Sequence, residues 1–162
     1  MEPVLFVIFG AIATGGAIMV VTRKHPMASA LYLILTLFAV AALFVLRQAH
    51  FLAAIQVIVY AGAVVVLFIF VIMLINVPED KLPVERVTGI RFLGVLVAGL
   101  LILESALVAR RSGMAGTPAV DSGSVQAVGR ALFTDYLLAF EITSVLLLAA
   151  MIGAITLAKR KI

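Results

Sequence analysis

The sequence predicts an all-α integral membrane protein with five transmembrane helices, and two observations carry that reading. Hydrophobic residues make up 65% of the 162-residue chain and charged residues only 12%, with a mean hydropathy of +1.29. A water-soluble domain has roughly half its residues apolar and about a quarter charged, so lipid must cover much of this surface. The apolar residues are also gathered into five runs, each about long enough to cross a ~30 Å hydrocarbon core at ~1.5 Å per residue.

The first run covers residues 3–22. Glu2 stands where a cleaved signal would carry positive charge, and no small-x-small site precedes Arg23, so this run is expected to stay as a span. The second run, residues 27–46, follows Pro26, which suits the first position of a helix because its missing N–H costs nothing there. The stretch "RKHP" makes the first connection a very tight turn. The third run is 51–76, the fourth 88–109 and the fifth 135–158. Between them lie "VPEDKLPVER", with two prolines and mixed charge, and "RRSGMAGTPAVDSGSVQAVGRALFT", rich in Gly, Ser and Thr. Both read as loops without a folded unit of their own, leaving a single membrane domain over residues 1–162.

Charge placement orients the spans. With five crossings, one side carries Arg23, Lys24, Lys81, Arg86, Arg91, Lys159, Arg160 and Lys161, eight of the twelve Lys and Arg. The other side carries Arg47, Arg110, Arg111 and Arg130. The positive-inside rule then puts the C-terminus in the cytoplasm and the N-terminus outside. The net charge of +4 is a topology signal, and the "KRKI" tail reads as a snorkelling anchor, not a nucleic-acid patch.

Several chemistries are excluded. The chain has no cysteine, which removes disulfides and thiolate-held clusters. His25 and His50 fall at turns on opposite faces and cannot share a metal, and no nucleophile triad is present. "GAIATGG" lacks a preceding strand and a Lys-Ser/Thr pair, so it is not a phosphate loop. Its Ala11–Gly15 and Ala13–Ala17 spacings fit helix-packing faces, as do Ala149–Gly153 and Ala150–Ala154.

What remains is a set of polar residues inside the runs. An acid near a helix centre costs ~2.5–3.5 kcal/mol on insertion scales and usually faces protein or water. Glu141, six residues into the fifth run, fits either a proton-linked role or an acid reaching interfacial water. Glu104 reads as interfacial and Arg91 as snorkelling. Gln56 reads as interhelical glue or as a site residue. Tyr60 sits near the middle of a run ~39 Å long, away from the interfacial belts where tyrosine is usual. Ala61, Gly62 and Ala63 follow it, a bare patch that is either a packing notch or a point of flexibility.

"QVIVYAGAVVVLFIFVIMLIN", together with "GTPAVDSGSVQAVGRALFTDYLLAFEITSVLLLAAMIGAITLA" and "HPMASALYLILTLFAVAALF", closely resembles the subunit J family of bacterial NADH:quinone oxidoreductase, respiratory complex I, whose mitochondrial counterpart is NADH dehydrogenase subunit 6. The resemblance covers nearly the whole chain. It implies five membrane helices and a π-bulge around Tyr60 implicated in coupling quinone reduction to proton pumping; Gly62, Glu141 and Gln56 are further proton-coupling or conformational candidates on the reading of the residues themselves. Some members carry glutamate where this chain has Gln56. It also implies a non-catalytic, multi-pass subunit of the bacterial cytoplasmic membrane, assembled with other membrane subunits of complex I; the small-residue faces and embedded polar groups themselves predict a chain that is unstable or inactive alone. Flavin, iron–sulfur clusters and quinone would belong to other subunits, with no cofactor, metal or catalytic residue in this chain. A small ion transporter or channel subunit and a purely structural membrane scaffold are the competing readings.

Overall fold

The computed structural model describes residues 2–75, 88–111 and 123–159, and every regular element among them is helical. The helices are α1 (Glu2–Thr22), α2 (Pro26–Leu46), α3 (His50–Ile55), a π-helical segment (Gln56–Val64), α4 (Val65–Ile75), α5 (Thr88–Arg111), α6 (Val125–Phe133) and α7 (Leu137–Ala158). α3, the π segment and α4 run on as a single 26-residue rod, His50–Ile75. Asn76, the "VPEDKLPVER" stretch and the Arg91 side chain lie outside the described residues.

Four of these elements are long and apolar enough to cross a membrane: α1, α2, the His50–Ile75 rod and α7. α5 carries a shorter apolar stretch, Leu93–Val108. The chain therefore has the character of an all-α membrane protein.

α2 is the hub. α1 packs along one of its sides and the α3–π–α4 rod along another. Small residues make this packing close: the buried apolar side chains are Ala30, Ala39, Ala41, Ala49, Ala53, Ala61 and Val65. In lipid no hydrophobic force drives helices together, so contact surface has to come from close backbone approach. Pro26 opens α2 as its spacing predicts. Across the tight turn, Ser29 Oγ donates to Val20 O at 2.6 Å. Arg23 Nη2 reaches the Tyr32 hydroxyl at 3.3 Å, with its guanidinium carbon 5.3 Å from the ring centre.

The α1 packing face differs from the expected one. Gly16 is the buried residue of α1, with Phe9, Ala13 and Val20 half-buried on the same side, while Ala11, Gly15 and Ala17 are exposed. A Cβ at Gly16 would collide with Thr36 Oγ1, whereas one at Gly15 would meet nothing. α1 is apolar all round, so glycine spacing alone did not single out the face that α2 occupies.

α2 ends in a Schellman-type turn. Gln48 N donates to Val45 O and Ala49 N to Phe44 O, both at 2.9 Å. Gln48 takes the left-handed position at φ 59°, where glycine is usual.

Part of the segment read as a loop is helical. α6 starts after Ser124, whose hydroxyl accepts from Ala127 N at 3.2 Å. Val125, Val128 and Leu132 then repeat at helical spacing. α6 folds back onto the start of α7, where the Phe133 and Phe140 rings lie 5.0 Å apart.

Candidate functional site

The π segment occupies the centre of the longest apolar rod, where a uniform α-helix would be the simplest outcome. Its hydrogen-bond register shifts along its length. Gln56 N donates to the Ala53 and Leu52 carbonyls, three and four residues back. At the far end, Val65 N donates to Tyr60 O, five residues back. One turn is therefore widened between these points, and such wide turns inside α-helices are frequent at functional sites.

Packing against α2 accounts for the wide turn. Ala53, Ala61 and Val65 are buried and Val57 is half-buried, one residue in every four. In an α-helix four residues advance about 400°, so such a stripe drifts by about 40° per step. A turn closed by five-residue bonds holds more residues and advances less per residue. Mixing the two kinds of turn keeps the stripe on α2.

Gln56, Tyr60 and Gly62 all lie on this segment. Gln56 is half-buried. Tyr60 is 50% exposed, and its hydroxyl has no hydrogen-bond partner among the described residues. A tyrosine in that position needs an acceptor or donor from outside this chain. Gly62 is the position where the backbone is most sensitive. A Cβ there would sit 3.3 Å from Val57 O, closer than side-chain carbons ordinarily come. Glycine thus lets the wide turn close without pressing on that carbonyl.

Glu141 is not part of this group. It lies on α7, whose packing neighbour is α6, and it is exposed. Its backbone carbonyl accepts from Ser144 Oγ at 2.7 Å, while its carboxylate pairs with nothing among the described residues. None of the most apolar stretch of α7 is buried within the chain. The Ala149–Gly153 and Ala150–Ala154 faces are likewise open, with nothing within 4 Å of a Cβ at Gly153. Glu104 is exposed as well. Two contributors were not singled out from the sequence: Val57, whose carbonyl faces Gly62, and Val65, the most buried side chain of the rod. The four-residue spacing of 53, 57, 61 and 65 is the signal that points to both.

Comparison with known proteins identifies the family. Residues 16–157 match the NADH-ubiquinone/plastoquinone oxidoreductase chain 6 family. The chain is 40% identical over 162 residues to NAD(P)H-quinone oxidoreductase chain 6 of Leptolyngbya boryana, covering 99% of this chain and 81% of that one. It is 37% identical over 164 residues to NADH-quinone oxidoreductase subunit J of Rhodobacter capsulatus, covering 96% and 80%. It is 36% identical over 156 residues to subunit J of Escherichia coli K12, covering 92% and 82%. The chain belongs to the chain 6/subunit J family of NADH-quinone oxidoreductase.

Proposed function

We propose that this chain is a membrane-arm subunit of a proton-pumping NADH:quinone oxidoreductase, and that its π segment is the moving part through which quinone reduction acts on proton translocation. Family membership supports the first half. The observation that carries the second is the register shift from four-residue bonds before Gln56 to the five-residue bond at Val65. Converting the wide turn to α would turn α4 by about 100° relative to α3 and lengthen the rod by about 1.5 Å. A rotation of that size moves Tyr60 and the faces of α4 to new neighbours, enough to make or break a chain of water.

Flavin, iron–sulfur clusters and the quinone sit in other subunits on this reading, and the present chain performs no redox step. Its exposed apolar faces on α1, α5 and α7 are covered by lipid and by partner helices in the bacterial cytoplasmic membrane. Glu141, unpaired among the described residues, faces water or a polar group of a partner subunit. α5 completes five spans, with the N-terminus outside. Gly123, just before α6, supports that parity. A Cβ there would lie 2.7 Å from Ala49 Cα, so the α5–α7 connection meets the α2–α3 turn on one side of the membrane.

The test is the geometry of the His50–Ile75 rod in the intact complex, imaged at rest and during turnover with NADH and quinone. The proposal expects Val65 N to bond Tyr60 O in one state and Ala61 O in another. A single hydrogen-bond pattern in every state rules the switch out and leaves the π turn as packing. Isolation of the chain without flavin- and iron–sulfur-containing subunits rules out the assembly.

A further inference from the structure

α6 is the amphipathic element of the chain. Val125, Val128 and Leu132 share one side, while Gln126, Arg130 and Phe133, spaced four and three apart, share the next. Val125 is 55% and Leu132 36% exposed, while Val128 is half-buried, and Phe133 on the adjoining side is 63% exposed. Both ends of α6 are tied to ends of long apolar helices. Gly123 abuts Ala49, between the end of α2 and the start of α3. At the other end, Tyr136 N donates to Ala131 O at 2.9 Å and α7 begins at Leu137. A nine-residue helix is about 13.5 Å long.

The Phe133–Phe140 ring pair joins the end of α6 to the surface of α7. Above it is an open groove of about 340 Å³, lined by Gln126, Ala127, Arg130, Ala131, Thr134 and Asp135. Arg130 is exposed, and neither Arg130 nor Asp135 forms an ion pair with any described residue. The groove thus offers a guanidinium and a carboxylate, neither of them ion-paired among the described residues. Their chemical complement is a zwitterion that carries a phosphate and a primary ammonium.

We propose that α6 lies in the membrane interface and that its groove seats the headgroup of a phosphatidylethanolamine-type lipid. The phosphate accepts from the Arg130 guanidinium, the ammonium donates to the Asp135 carboxylate, and the acyl chains pass over Val125, Leu132 and Phe133. A choline headgroup has no N–H to give Asp135, and a glycerol headgroup has no positive charge.

The absence of native cysteine makes the test clean. The full chain carries a tag and p-benzoylphenylalanine in place of Phe133, and is studied in the membrane assembly from which it is isolated. That assembly is placed in vesicles holding equal parts of phosphatidylethanolamine, phosphatidylcholine and phosphatidylglycerol. After irradiation, the mass of the adduct on this chain identifies the lipid class. The expected result is a phosphatidylethanolamine adduct several-fold above its share of the vesicle. Arg130→Gln or Asp135→Asn should return the adducts to the bulk ratio while total lipid adduct persists. A protein adduct, or no adduct, overturns the interfacial placement, as does equal aqueous maleimide labelling of Leu132→Cys and Gln126→Cys. Lipid adducts in the bulk ratio with Arg130 and Asp135 intact overturn the headgroup assignment.

Discussion

Replacing Gly62 tests the wide turn where the structure makes it most sensitive. Alanine adds one methyl group 3.3 Å from Val57 O, a carbonyl inside the π segment itself. In a regular helix, alanine is favoured over glycine by about 1 kcal/mol. In the π form part of that gain is lost against the carbonyl, so the balance moves toward the α form by up to ~1 kcal/mol, about fivefold in population. Valine places two further carbons in the same space. Overpacking of that kind costs about 1–3 kcal/mol, a shift of roughly 5- to 150-fold. Two forms exchanged by partner subunits differ by only a few kcal/mol. Gly62→Ala should therefore slow turnover mildly, and Gly62→Val should hold the rod in the α form. The assay pairs NADH-driven quinone reduction with proton uptake in inverted membrane vesicles, alongside the structure of each assembled variant. A Gly62→Val complex that keeps the Val65 N to Tyr60 O bond and pumps at the parent rate would refute the reasoning.

Tyr60→Phe removes the hydroxyl that has no partner among the described residues, and should lower the proton-to-electron ratio modestly while leaving assembly intact, as read by the same vesicle assay. Glu141→Gln preserves shape and removes charge, so coupled activity should fall in complexes of normal subunit content; wild-type stoichiometry would make Glu141 an interfacial acid. Gly16→Val drives a side chain into Thr36 Oγ1 and should destabilise the α1–α2 pair by about 1–3 kcal/mol, seen as reduced yield of assembled complex. Gln48→Gly relieves the left-handed backbone at φ 59°, and should raise resistance to thermal disassembly by roughly 1 kcal/mol. A lower melting point for that variant would mean the Gln48 side chain is needed for another contact.

Membrane character was legible in the sequence because it depends on a local quantity, apolar run length, and Pro26 marked the start of α2. The positions of Gln56, Tyr60, Gly62 and Glu141 inside apolar runs were equally visible, since a polar group in a span stands out whatever surrounds it. Which face of each helix meets another was not visible. Helices apolar on every side carry no amphipathic stripe, and in lipid the hydrophobic effect does not distinguish a packed face from an open one. Only the tertiary structure selected Gly16 over Gly15, because Thr36 and Tyr32 of α2 come close to it. The composition of the last connection masked α6, which Ser124 caps and Phe140 holds at its far end. The wide turn is the clearest case. Valine, alanine and glycine accept either hydrogen-bond register, so residues 56–64 do not choose one by propensity. The resemblance placed a bulge around Tyr60; its extent over Gln56–Val64 was decided by keeping Ala53, Val57, Ala61 and Val65 against α2.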